Sequence, residues 1–348
     1  MRLSPVVVAA LLLPLALSSC GSIDAAQAER PPGGAKPPAA ESIDQGAYVN
    51  VVKLTGIAWF DRMKIGVEDF GATSGRKTTQ AGPATDSPEQ QASLIQALIA
   101  QRPAGMGIIP SDPQAVDAVV KQARGAGIRV VTHEAPQLTS PDADVEAFDN
   151  ADYGRKIISG LGACMGGQGE YVQFVGKLTA TSHMAWANAV VEEQRSRFPA
   201  MTRIGDPVES MDSAEIAYVK AKHLLQTHPR LKGFSGASSQ DVVGIARAVA
   251  EAGLQDETCV HGTGVPSETK HFLAEGAIDA IYFWDPAKAG KAVMKATQLL
   301  AEGKKLSDGE DLGVEGYRRL RQSTDNPLVF LGDAALSATK DDVMKYDF

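Results

Sequence analysis

Short apolar runs alternate along this chain with longer stretches in which apolar positions recur every three or four residues. Tyr48-Val49-Asn50-Val51-Val52, Met106-Gly107-Ile108-Ile109, Arg129-Val130-Val131-Thr132 and Tyr171-Val172-Gln173-Phe174-Val175 are runs of the first kind. They predict strands buried on both faces, as in a parallel sheet. Phe234, Cys259-Val260 and Ile278 to Phe283 mark further strands of the same sort. Helices fill the intervals. Ser87-Pro88-Glu89-Gln90 offers a cap residue, a proline for the first turn and a glutamine three after the cap, and Ala92, Ile95, Leu98 and Ile99 then share one face. Ala115, Val116, Val119, Val120 and Ala123 repeat that spacing until Gly125-Ala126-Gly127 stops the helix. Strand, helix and strand in steps of roughly 25 to 30 residues predict right-handed crossovers and a doubly wound α/β sheet. The pattern runs through the chain twice, which predicts two similar lobes.

The first residues break this pattern. Arg2, an apolar run from Val6 to Leu17 and then Leu17-Ser18-Ser19-Cys20-Gly21 read as an export signal with a lipobox-like end, removed before a lipidated Cys20. The run is too short to span a bilayer, which needs about 20 apolar residues. Residues 21–46, with Arg30-Pro31-Pro32-Gly33-Gly34-Ala35-Lys36-Pro37-Pro38, cannot bury apolar surface and read as a disordered tether. The chain is therefore expected to be exported and held by lipid at the outer face of the cytoplasmic membrane.

Roughly 300 residues remain, enough for two ordinary domains. The net charge of −8 argues against nucleic acid as a partner. With Cys20 assigned to lipid, Cys164 and Cys259 are left either as a disulfide, which an oxidising compartment would preserve, or as two separately buried thiols. The chain contains no HExxH, CxxC pair, GxSxG or Walker loop, and Gly262-Thr263-Gly264 lacks a third glycine. His133-Glu134 lacks a second histidine, and no histidines sit at metal-ligand spacing. Neither a metal, a cofactor nor an enzymatic activity is expected. A glycoside hydrolase would need a carboxylate pair flanking one bond, and Glu134 with Asp285 is the one pair that could be imagined there.

In an open α/β sheet, ligands bind at the carboxyl ends of the strands. Those ends carry Lys53 and Trp59-Phe60-Asp61, His133-Glu134, Asp149-Asn150, Thr181-Ser182-His183 with Trp186, Ser238-Ser239-Gln240-Asp241, Thr263 and Trp284-Asp285. Carboxylates, amides and hydroxyls mixed with flat rings suit a neutral polyhydroxylated ligand, whose hydroxyls donate and accept while its C–H faces pack on aromatics. Each has a competing structural role. Trp59 and Phe60 could be core residues, Glu134 a cap or surface acid, Trp284 packing between lobes, and His183 and Asp241 helix-start residues.

Lys53-Leu54-Thr55-Gly56-Ile57-Ala58-Trp59-Phe60, Arg129 to Glu134, Ile281-Tyr282-Phe283-Trp284-Asp285 and the closing Lys345-Tyr346-Asp347-Phe348 resemble the substrate-binding proteins of sugar ABC importers. The resemblance covers nearly everything from Ala47 onward and is nearest to the rhamnose- and autoinducer-2-binding branch of the ribose-binding superfamily. It implies a type I periplasmic-binding-protein fold: two Rossmann-like lobes with doubly wound parallel sheets, joined by a three-strand hinge that closes on ligand. It implies that Lys53 contacts a ligand oxygen, that Trp59 and Phe60 stack on the ligand, and that Glu134 stands where the family has an aspartate gripping adjacent hydroxyls. Ser182-His183 replace the Asp-Gln pair of the autoinducer-2 binders, Ala237-Ser238-Ser239 replace a Pro-x-Ala step, and Ala135 replaces an arginine of the ribose binders.

The expected divisions are 1–20 signal, 21–46 tether, 47–148 with 286–314 as the N-terminal lobe, and 149–285 with 315–348 as the C-terminal lobe. The expected ligand set is Lys53, Trp59, Phe60, Asp61, Glu134, Asn150, Ser182, His183, Ser238, Ser239, Gln240, Asp241, Thr263, Trp284 and Asp285. The expected protein is a monomeric receptor that passes a small neutral sugar or polyol to an ABC permease. The alternatives are an autoinducer-2-like furanone receptor and a sugar sensor docking on a signalling receptor.

Overall fold

A computed structural model describes residues 46–348. The signal, Cys20 and all of the tether but Gly46 lie outside the described residues. The chain runs β1 (Tyr48–Val51), α1 (Ala58–Ser74), β2 (Thr78–Ala81), α2 (Pro88–Ile99), β3 (Gly105–Ile108), α3 (Pro113–Gly125), β4 (Arg129–Thr132) and β5 (Ala143–Glu146) in the first lobe. The second lobe takes α4 (Asn150–Cys164), β6 (Gln168–Val175), α5 (Thr181–Arg197), β7 (Ala200–Arg203), β8 (Val208–Glu209) and α6 (Ala214–Thr227). It continues through β9 (Leu231–Gly236), α7 (Ser239–Ala252), β10 (Cys259–Thr263), α8 (Pro266–Ala274) and β11 (Ala280–Phe283). Then α9 (Pro286–Ala301), β12 (Arg321–Gln322) and β13 (Val329–Leu331) return to the first lobe, and β14 (Leu336–Ala338) ends in the second.

The first sheet has the order β12-β13-β5-β4-β3-β1-β2 and the second β14-β11-β10-β9-β6-β7, with β8 pairing β6. All neighbours are parallel except β12 with β13 and β11 with β14. The chain therefore crosses between lobes three times, at residues 147–149, 284–285 and 332–335. The third crossing comes later than the boundary expected at 314, because β12 and β13 pair into the first sheet beside β5. Gly332 lets it run against the first crossing, since a Cβ there would sit 3.0 Å from the Ala147 carbonyl oxygen and 2.6 Å from that of Gly316.

Local chemistry explains the elements. Ser87 accepts from Gln90 N and Asp112 from Gln114 N, each followed by proline in the first helical turn. β1, at the heart of the first sheet, is buried at all four residues. Val49, Val51 and Met106 face a core with α2 and α3, while Tyr48, Val52 and Ile109 face the core that holds α1 and α9. The latter helices meet at Gly66, where a Cβ would come within 1.7 Å of the Ala287 carbonyl oxygen. That contact ties the start of α9, just past the second crossing, to the first lobe. Cys164 at the end of α4 and Cys259 at the start of β10 form a disulfide, with Cα atoms 6.0 Å apart.

Candidate functional site

The carboxyl ends of both sheets face one another, and the residues that follow their strands line a small, nearly filled cleft. The walls are Lys53, Ile57, Trp59, Phe60 and Glu134 from the first lobe, His183, Trp186, Asp212, Ala237, Ser238, Ser239 and Thr263 from the second, and Trp284 from a crossing.

The aromatic wall is built as a set of perpendicular rings. Trp284, 1 % exposed, meets Trp59 edge-on with centroids 4.5 Å apart, and Phe148, Trp186 and His133 edge-on at 5.1, 5.9 and 5.9 Å. Trp186 is aimed by a bonded chain. Its Nε1 donates to Asn150 Oδ1 at 2.6 Å, and Asn150 Nδ2 donates to Glu146 Oε2 at 3.0 Å. Burial, reinforced by the neighbouring Asp144 charge, pushes the Glu146 carboxyl well above its ordinary range. Trp284 Nε1 is buried without a protein acceptor, so the indole retains an unused donor.

The polar wall spans the lobes. Lys53 Nζ lies 2.9 Å from Asp212 Oδ2, and Ser238 Oγ donates to Asp212 Oδ1. Burial alone would lower the Lys53 pKa, but the charges of Asp212, Glu134 and Asp86 outweigh it and raise it. Burial opposes ionisation of Asp212 too, yet Lys53 and His183 hold its carboxyl well below the usual range. His183 accepts from Gly176 N at Nδ1, 3.1 Å away, and burial, then Lys53, lowers it to about 4. Glu134 adopts a left-handed backbone, φ +63°, and its Oε2 has only a long contact of 3.4 Å from Ser182 Oγ. At the rim, Lys177 Nζ of the second lobe pairs with Asp86 Oδ1 at 3.0 Å and donates to Ser111 Oγ at 3.1 Å in the first.

Of the residues expected from sequence, the cavity brings together Lys53, Trp59, Phe60, Glu134, His183, Ser238, Ser239, Thr263 and Trp284. The others are placed elsewhere. Asp61 is exposed on α1. Asn150 orients Trp186, and Ser182 stands behind Glu134. Gln240 donates to Glu268 Oε2 at 3.0 Å. Asp241 completes a capping box, accepting from Ala237 N and Ser238 N at 3.0 and 2.8 Å. Asp285 caps α9 and holds Arg62 in two 2.9 Å bonds. Glu134 and Asp285 thus share no substrate bond. The expected ligand set left out four residues of the wall, Ile57, Trp186, Asp212 and Ala237; Asp212 follows the two-residue β8, too short to leave an apolar run.

Two parallel sheets, three crossings and a cleft at the strand ends define a type I solute-binding fold. Residues 48–305 match the periplasmic binding protein domain, and the chain belongs to that family. Members of this extracytoplasmic family bind solutes and are not enzymes. Over 259 residues the chain is 28% identical to the D-allose-binding periplasmic protein of Escherichia coli (strain K12), covering 71% of this chain and 82% of that one. LsrB from Clostridium saccharobutylicum, solved in complex with AI-2, is 20% identical with a TM-score of 0.81, covering 87% of this chain and all (100%) of that one. An ABC transporter solute-binding protein from Clostridium phytofermentas, solved with L-rhamnose, is 18% identical with a TM-score of 0.80, covering 87% and 98%.

Proposed function

We propose that this chain is a solute-binding protein of an ABC importer, lipid-anchored through Cys20, that captures a small neutral sugar or polyol between its lobes and hands it to a membrane permease. The observation that carries this reading is the pairing, in one small cavity, of an aromatic wall with Glu134, a buried carboxylate that among the described residues has one long hydrogen bond, from Ser182, and a more distant His133 Nε2 at 3.9 Å. Hydroxyls of the ligand would supply the missing donors, and Trp59 would pack on its C–H face. The family and the sugars held by its relatives support the same class. Lys53 and Glu134 give directionality, and the tryptophans give apolar area.

A thermal-shift screen of tetritols, pentitols, pentoses, deoxyhexoses and autoinducer-2 identifies the ligand, because a molecule that binds only the native state raises its melting temperature. Calorimetry with the best compound then tests the site. Glu134→Ala is expected to weaken binding roughly ten- to a hundredfold, as an unsatisfied buried polar group costs about 1 to 3 kcal/mol. Trp59→Ala should cost at least as much, and Lys36→Ala nothing. If both pocket variants bind like the parent, the site is elsewhere. Stabilisation by autoinducer-2 alone would leave the cleft in place but replace the neutral-polyol ligand with a furanone.

A further inference from the structure

The cleft is built around a carboxylate that the strand-end pattern did not reveal. Asp212 lines the cavity at 5% exposure. Three features seat it. Met211 and Asp212 both take left-handed backbone, φ +56° and +49°, which non-glycine residues rarely adopt. Gly176 leaves room for it, since a Cβ there would lie 2.5 Å from Asp212 Oδ1. Ser238 Oγ and Lys53 Nζ then occupy its two oxygens from opposite sides of the cleft.

The consequence is electrostatic. The charged side chains on the cavity wall are Lys53, Glu134 and Asp212, one positive formal charge against two negative. His183 adds none near neutral pH, because burial, then Lys53, lowers its pKa to about 4. Lys53 is therefore the only ammonium on the wall, among the described residues, and it is already engaged. A carboxylate or phosphate ligand would be stripped of water beside Glu134 and Asp212 with no free cation to receive it.

We propose that Asp212 is a specificity-determining residue that excludes anionic sugars by holding Lys53 in a lobe-spanning pair. This deepens the sugar-binding function proposed above and rests on it for the identity of the pocket. Asp212→Asn keeps the shape and an acceptor for Ser238 but releases Lys53 toward the cavity.

The test is calorimetry on the full chain with galacturonate, glucuronate, arabinonate and rhamnonate as anionic probes, beside the neutral sugars of the screen. The parent should bind none of the acids measurably. Asp212→Asn should gain binding of at least one by about tenfold or more, the worth of one charge-assisted hydrogen bond. The gain should disappear in the Lys53→Met/Asp212→Asn double variant. Should Asp212→Asn fail to fold, Asp212→Ser, which also retains an acceptor, carries the same comparison. The proposal falls if the parent already accepts an acid as tightly as the neutral sugars, if the single variant rejects all four acids, or if the gain survives loss of Lys53. Failure of the sugar-binding reading is distinct: it appears as a parent that no neutral compound of the screen stabilises.

Discussion

Glu134 and His183 both line the cleft, and the local backbone places each of them. Glu134 sits in left-handed conformation directly after β4, a strained geometry that costs on the order of 1–3 kcal/mol and concentrates at functional positions. His183, in the first turn of α5, accepts from Gly176 N and is walled in by Lys53, Asp212 and Glu134. Protonating it would break that bond and place a cation beside Lys53. Its pKa of about 4 lies below the ordinary 6.5, so between those values the unfolded chain takes up a proton that the native state refuses. Stability is then complete above about pH 6.5 and falls as pH drops toward 4. Urea unfolding of parent and His183→Gln across that range should show the parent losing up to about 3 kcal/mol more than the variant, at about 1.4 kcal/mol per pKa unit. Equal losses would mean that His183 titrates freely in the folded protein. The comparison with a variant is needed because Asp144, Glu146 and Asp241, raised by burial, act in the opposite direction.

At the scale of elements, the disulfide joins the end of α4 to the start of β10 and closes a sequence separation of 95 residues within the second lobe. A cross-link of that span limits the unfolded chain by about 4–5 kcal/mol in the chain-entropy account, and measured losses on removing native bonds run about 2–5 kcal/mol. Denaturant unfolding of the Cys164→Ser/Cys259→Ser variant should show a loss in that range, with sugar binding intact because the bond lies away from the cavity wall. A variant as stable as the parent would show that the bond is dispensable. The elements themselves were legible in the sequence in proportion to their burial. β1, β3, β4 and β6 announce themselves as apolar runs, and α2 and α3 by cap, proline and periodic face. β2 is the half-buried Thr78–Ala81, and β12, β13 and β14 are two or three residues long, so neither periodicity nor length marked them. That is why the last crossing was expected too early. The site was legible where a side chain follows a strongly apolar, buried strand, as with Lys53, Glu134 and Trp284. It was obscured where capping competes for the same residue types, and Asp241 and Asp285 serve their helix ends instead.

Two of the charged contacts that join the lobes differ in kind. Lys53–Asp212 lies on the cavity wall, whereas Lys177–Asp86 lies outside it, with side chains 8% and 2% exposed and Ser111 completing the group. Burial pushes the Asp86 carboxyl up, which makes its charged form depend on the lysines nearby. Removing one partner of a buried pair leaves the other uncompensated, at about 3–5 kcal/mol. Here the protein has an escape that a rigid core lacks: opening the lobes returns Asp86 to water. Lys177→Met, which keeps the apolar stem, should therefore unfold close to the parent yet spend more of its time open. Its scattering curve without ligand should give a larger radius of gyration than the parent's. Its sugar affinity should fall about ten- to a hundredfold, because binding must first draw on a less populated closed state. Adding Asp86→Asn removes the stranded charge and should recover part of both effects. Unchanged scattering and affinity in Lys177→Met would show that the pair merely follows closure and does not hold the lobes together.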